Sequence, residues 1–103
     1  MNFREVQNDD PISPTSIEHN VDEIWEGDEL AQRYNFLVYN FEDGNASIWA
    51  KSYADEFHTI TMYGPHDRED RTRQVENAEL AQRVHAYLSK RFGKVVSQGC
   101  RVP

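Results

Sequence analysis

One cysteine, Cys100, is the whole thiol content of the chain. That excludes an internal disulfide and a C-x-x-C pair, and it suits a reducing compartment. Arg101 beside it would favour the thiolate, but no histidine is placed by sequence to act as its base. Glycine is also sparse. The five stand singly at 27, 44, 64, 93 and 99, so no glycine-rich loop is there to cradle a phosphate. No G-x-S-x-G elbow occurs for serine hydrolysis. Long apolar runs are missing, none approaching the roughly 20 residues that cross a bilayer. The opening MNFREVQNDD carries acid where a signal peptide needs base. The expected setting is therefore cytoplasmic with no membrane partner. Nothing in the sequence calls for a cofactor, a metal ion or a catalytic residue.

What the chain has in quantity is charge, sorted along its length. Residues 1–30 hold nine acids against Arg4 alone, a balance of −8; residues 31–70 stand at −4 and residues 71–103 at +5, for a net −7. Each end can steer a partner of opposite sign over roughly 8 Å. Bulk acidity disfavours direct contact with nucleic acid or anionic membrane and favours a basic protein partner. The basic residues of the last third could suggest a nucleic-acid footprint. The aromatic strands that would stack bases, however, carry acids at their turns (Glu42, Asp43, Asp55, Glu56) and little base beyond Lys51. With 38% hydrophobic and 12% aromatic residues, the chain reads as one folded domain, 1–103, burying about two thirds of its unfolded surface.

Residues 1–20 read as an extended or mobile arm, with Pro11 and Pro14 among acids and hydroxyls and room for a short strand at Phe3–Val6. Asn20 followed by Glu23 has the form of a helix cap, and Val21, Ile24 and Trp25 fall on one side of a short helix over 21–32. From 34 to 63 the period changes to two, which predicts a three-stranded antiparallel meander: 34–41, a hairpin turn at Asp43-Gly44, 45–53, a turn at Asp55, and 57–63. Gly64-Pro65 should stop the last strand, and residues 66–70 should form a charged loop. Leu80, Ala81, Val84, Leu88 and Phe92 recur at three and four, predicting a helix over 72–92 closed by a left-handed Gly93. A final strand fits at 94–98. The fold class is α+β: a small antiparallel sheet, with room for further edge strands, and one main C-terminal helix packed on one face.

That helix can cover only one sheet face, yet both are apolar. With Asp43-Gly44 as a two-residue loop, Tyr39 would pair with Ile48 and Val38 with Trp49. One face then collects Leu37, Tyr39, Phe41, Ala46, Ile48 and Ala50, and the other Tyr34, Phe36, Val38, Trp49 and Tyr53. The arm, a second copy of the chain or a partner must cover the second face. An acidic rim around aromatic anchors is the composition of a surface that docks on base, so the candidate partner-binding residues are Glu23, Trp25, Glu26, Asp28, Glu29, Tyr34, Trp49 and Tyr53. The functional expectation is a noncatalytic acidic protein-binding module, an inhibitor or immunity-type protein that neutralises a basic partner such as a nuclease or nucleic-acid-binding protein. The alternative is a small ligand-binding or enzymatic domain with a pocket near His58, Trp49 and Tyr53. His66, Asp67, Glu69 and Asp70 are close enough in sequence to hold a metal or act as acid and base, although the flanking Arg68, Arg71 and Arg73 favour a solvated charged loop.

Overall fold

The computed structural model describes residues 10–99. They form six strands and one α-helix: β1 (Ser16–Glu26), β2 (Glu29–Asp43), β3 (Ala46–Tyr53), a short 3-10 turn (Ala54–Glu56), β4 (Thr59–Asp67), β5 (Asp70–Gln74), α1 (Ala78–Ser89) and β6 (Lys94–Gly99). The class is α+β as expected, but the sheet has more strands than a three-stranded meander and curls as a half-barrel. The strand order is β1-β2-β3-β4-β5, antiparallel throughout, with β6 added parallel to β4. Both late strands use the same edge of β4: β6 lies along Thr59–Tyr63 and β5 meets His66 and Asp67. A parallel neighbour needs a crossover connection, and α1 lies in the connection that supplies it.

Two hairpins share one design. Glu26 pairs with Glu29 across Gly27-Asp28, and Asp43 pairs with Ala46 across Gly44-Asn45. Gly27 and Gly44 have φ of 65° and 61°, the left-handed value that a two-residue loop with glycine first requires. The second turn therefore sits one residue later than Asp43-Gly44. The observed pairs are Tyr39 with Ala50 and Phe41 with Ile48, not Tyr39 with Ile48. Moving the turn by one residue displaces each partner by two, so the pleat is unchanged and both face memberships survive.

One face carries the core. Phe41, Ala46, Ile48, Ala50, Ile60 and Met62 are buried beneath Leu80, Val84, Tyr87 and Leu88 of α1, with Ala81 and Phe92 packed at the margin. Asn77 caps the helix, its side-chain oxygen accepting from the Leu80 amide at 3.0 Å. Arg83, half-buried, reaches from α1 to Asp43 at 2.6 Å and pins the helix to the second hairpin turn.

Four expectations change. Residues 21–32 are not a helix: they form the end of β1, a turn and the start of β2. Gly64-Pro65, a cis peptide, does not stop β4, which runs on to Asp67. Residues 70–74 are β5, so the helix begins at Ala78 instead of 72 and ends at Ser89. Gly93 is not among the positive-φ glycines, and the helix is capped at Lys90. The final strand is present, spanning Lys94–Gly99. Of the arm, residues 16–20 belong to β1, and the segment before it is tied down. Ile12 packs against the core, and the Asp10 carboxylate takes two bonds from Arg91 (2.8 and 3.3 Å) and an ion pair from Lys90 at 3.5 Å. Phe3–Val6 and Cys100 lie outside the described residues.

Candidate functional site

β2 pairs with β3 only from Phe36 onward. Among the described residues, 29–35 and their β1 partners therefore continue alone as a two-stranded ribbon, about 20 Å long at about 3.3 Å per residue, and every residue from Val21 to Arg33 is exposed. Five of the expected docking residues, Glu23, Trp25, Glu26, Asp28 and Glu29, come together at its far end, brought there by hairpin pairing and not by a helix. Trp25 is 55% exposed, opposite Leu30, with Ile24 and Val21 also exposed. A register shift between Ile24 and Trp25 leaves Ala31 as the extra residue on β2, which raises local twist. Glu23 pairs with Arg33 at 3.6 Å. Glu26, Asp28 and Glu29 have no ion-pair partner among the described residues, and Glu26 faces Glu29 directly, an arrangement that like charges disfavour.

The other three expected residues, Tyr34, Trp49 and Tyr53, lie on the sheet face away from α1, and they are not exposed anchors. Trp49 stacks on Tyr63 (centroids 4.2 Å apart), and the Arg71 guanidinium lies 5.5 Å above the Trp49 ring while reaching Asn40 at 3.4 Å. Lys51 sits 4.2 Å over Phe36 and 5.0 Å over Tyr53, and Tyr53 meets Tyr34 edge-on at 6.1 Å. The second face thus covers itself in part, ring on ring and cation on ring. Only Tyr34, opposite Asp22 at the ribbon's base, adjoins the acidic group. Asp22, Tyr34, Tyr53, Asp55 and Glu56 line a shallow recess of about 210 Å³ there.

Of His58, Trp49 and Tyr53, only Tyr53 lines any of the recesses described here. His58 is in the turn before β4, exposed against Phe57, and none of the recesses described here is lined by both His58 and Trp49. The charged loop is not a cluster either. His66 is 1% exposed inside β4, bonded to the Ser47 hydroxyl at 3.1 Å and the Asp67 carbonyl at 3.0 Å. Asp67 pairs with Arg73 at 3.5 Å and caps the Glu69 amide at 2.8 Å. Asp70 accepts from the hydroxyl and amide of Thr72, which hold its carboxyl below the usual carboxylate range. Among the described residues no group of three metal-ligating side chains forms.

Sequence reasoning missed one feature, an apolar recess of about 250 Å³ on the helix side, lined by residues that include His19, Leu37, Tyr39, Phe57 and Phe92. Phe57 is 64% exposed at its rim. Burial, with the Tyr87 hydroxyl nearby, pushes the Tyr39 phenol up. No protein-family model, curated protein or solved structure matches the chain.

Proposed function

We propose that the chain is a noncatalytic protein-binding module that docks on a basic partner through its acidic ribbon, in the manner of an inhibitor that neutralises a nuclease or nucleic-acid-binding protein. One observation carries the reading: an exposed tryptophan with apolar neighbours, ringed by carboxylates that have no ion-pair partner among the described residues, at the end of a ribbon held away from the core. Tryptophan is the residue type most able to act as an anchor once desolvated. Unpaired carboxylates steer encounter and can occupy sites built for phosphates. The sheet aromatics contribute less, because each already has a ring or cation against it.

The test changes Glu23, Glu26, Asp28 and Glu29 to lysine, and separately Trp25 to alanine. Proteins retained by the parent chain at low and at high salt are identified, and their association is timed with all three chains. The reversal should slow association by about tenfold or more at low salt and less at high salt. Trp25→Ala should instead speed dissociation. A reversed chain that associates at the parent rate at every salt concentration would leave the acids a role in solubility alone.

A further inference from the structure

β1 is the outermost strand of the sheet. Among the described residues it pairs with β2 alone, so its other edge offers eleven residues of backbone with no strand beside it. A long free edge is a template for another strand. What it would accept is written in the side chains. The extra residue near the ribbon tip belongs to β2, so the alternation of β1 is unbroken. Ile17, Val21 and Trp25 fall on the helix side, four residues apart, with His19 and Glu23 between them, and Glu18, Asp22 and Glu26 fall on the other side with the same spacing, with Asn20 and Ile24 between them. Ile17 faces Tyr39, which touches Tyr87 and Phe92, and this fixes which side is which.

We infer that the free edge of β1 takes an extended, basic segment of a partner protein as an added strand, with lysine or arginine opposite Glu18, Asp22 and Glu26 and apolar residues opposite Ile17, Val21 and Trp25. The inference rests on the docking reading above and supplies its mode. Cross-strand pairs of opposite charge and apolar pairs each favour the register, while backbone bonds supply sequence-independent affinity. A second copy of this chain is the poorer occupant. Each β1 carries four carboxylates, at Glu18, Asp22, Glu23 and Glu26, against no lysine or arginine, so two would crowd eight along one shared edge.

The probe is an eleven-residue peptide of alternating lysine and valine, with two twins N-methylated at alternate amides, one twin per frame. In an added strand only one frame of amides faces β1. One twin should lose at least about tenfold in affinity while the other binds like the unmodified peptide, and amides of residues 16–26 should gain hydrogen-exchange protection on binding. Three results would overturn the inference: twins that bind alike, binding with no new protection in β1, or no binding of the unmodified peptide at low salt. A chain that dimerises through β1 on its own would assign the edge to a second copy and overturn the basic occupant. The docking reading fails separately, when charge reversal leaves association with the partner protein unchanged. It survives if that reversal slows association while the two twins bind alike.

Discussion

Trp25 and Trp49 show how much a residue's role depends on its place. Trp49 sits mid-sheet on β3, where the next strand delivers Tyr63 and the far hairpin delivers Arg71 to its ring. Trp25 sits beyond the reach of β3, and its cross-strand neighbour is an equally exposed leucine. The sequence alone marks both as large aromatics on strand-like or helix-like segments and cannot rank them, because rank depends on which strands lie alongside. Gly44 is a simpler case. An added Cβ there meets nothing within 4 Å, yet φ is +61°. Gly44→Val should therefore destabilise through backbone strain and not through a clash, by about 1–2 kcal/mol. Denaturant midpoints check this, and a mutant that melts like the parent would mean that the turn adopts another geometry. At the other extreme Leu88 has no exposed surface. Leu88→Ala should cost about 2–5 kcal/mol in the same measurement; a loss below about half a kcal/mol would remove the helix stripe from the core.

Among the elements, the central hairpin and the helix stripe were legible because their apolar residues keep one period without rivals. Ala46, Ile48 and Ala50 alternate strictly, and Leu80, Val84 and Leu88 repeat at four among polar residues. β1 was misread for a definite reason. Val21, Ile24 and Trp25 are spaced at three and four, which suits one side of a helix, whereas in the strand Ile24 falls on the face opposite Val21 and Trp25. Asn20 and Glu23 then imitate a cap. The tie is broken by Gly27-Asp28 and by the pairing that the turn allows, which no local window contains. β5 was invisible because DRTRQ has no apolar residue to carry a period; it is a strand because β4 offers it an edge. Of the residues expected to dock, the structure brings Glu23, Trp25, Glu26, Asp28 and Glu29 together at a ribbon tip, a placement that depends on the strand pairing and that a helix over 21–32 does not give. Among the described residues no second layer covers that ribbon. Its amides, residues 21–26 and 29–35, should exchange with solvent orders of magnitude faster than those of 48–52 and 60–62. Residue-resolved hydrogen exchange tests this, and equal rates would mean that the ribbon is packed against something in solution.

At the scale of the whole molecule, the sorted charge is partly consumed within the fold. The acidic and basic ends meet where Arg91, lying 3.7 Å over the Tyr87 ring, grips Asp10. The Arg91 bond holds the Asp10 carboxyl below its ordinary value of about 3.9. The sign follows from linkage: a lowered folded pKa adds stability that is fully present above the unfolded value and is lost as pH falls through the folded one. Asp10→Asn should therefore lower the melting temperature slightly at neutral pH, and the difference from the parent should begin to shrink as pH falls below about 4, vanishing only below the lowered folded pKa. Thermal melts of both proteins at pH 7 and pH 3 make the comparison. A gap that persists unchanged at pH 3 would show that the ion pair is not its source. Asp43 with Arg83, Glu42 with Arg68 and Asp67 with Arg73 use up further opposite charges. Among the described residues Asp22, Glu26, Asp28 and Glu29 on the ribbon take no part in these ion pairs, so the ribbon keeps an uncompensated negative charge away from the core.

The shared edge of β4 sets a timetable for the nascent chain. Among the described residues Thr59–Tyr63 is flanked on that side by Lys94–Gly99, a segment made some 31 residues after the end of that stretch. At roughly 5–20 residues per second, β4 waits about 2–7 seconds between its own synthesis and that of its parallel neighbour. During that interval Ile60 and Met62 also lack the helix that buries them. A released chain truncated before residue 94 should therefore be cut readily by protease within 59–63, and the same sites should resist in a chain that carries Lys94–Gly99. The middle of the sheet is completed by a strand from beyond the helix.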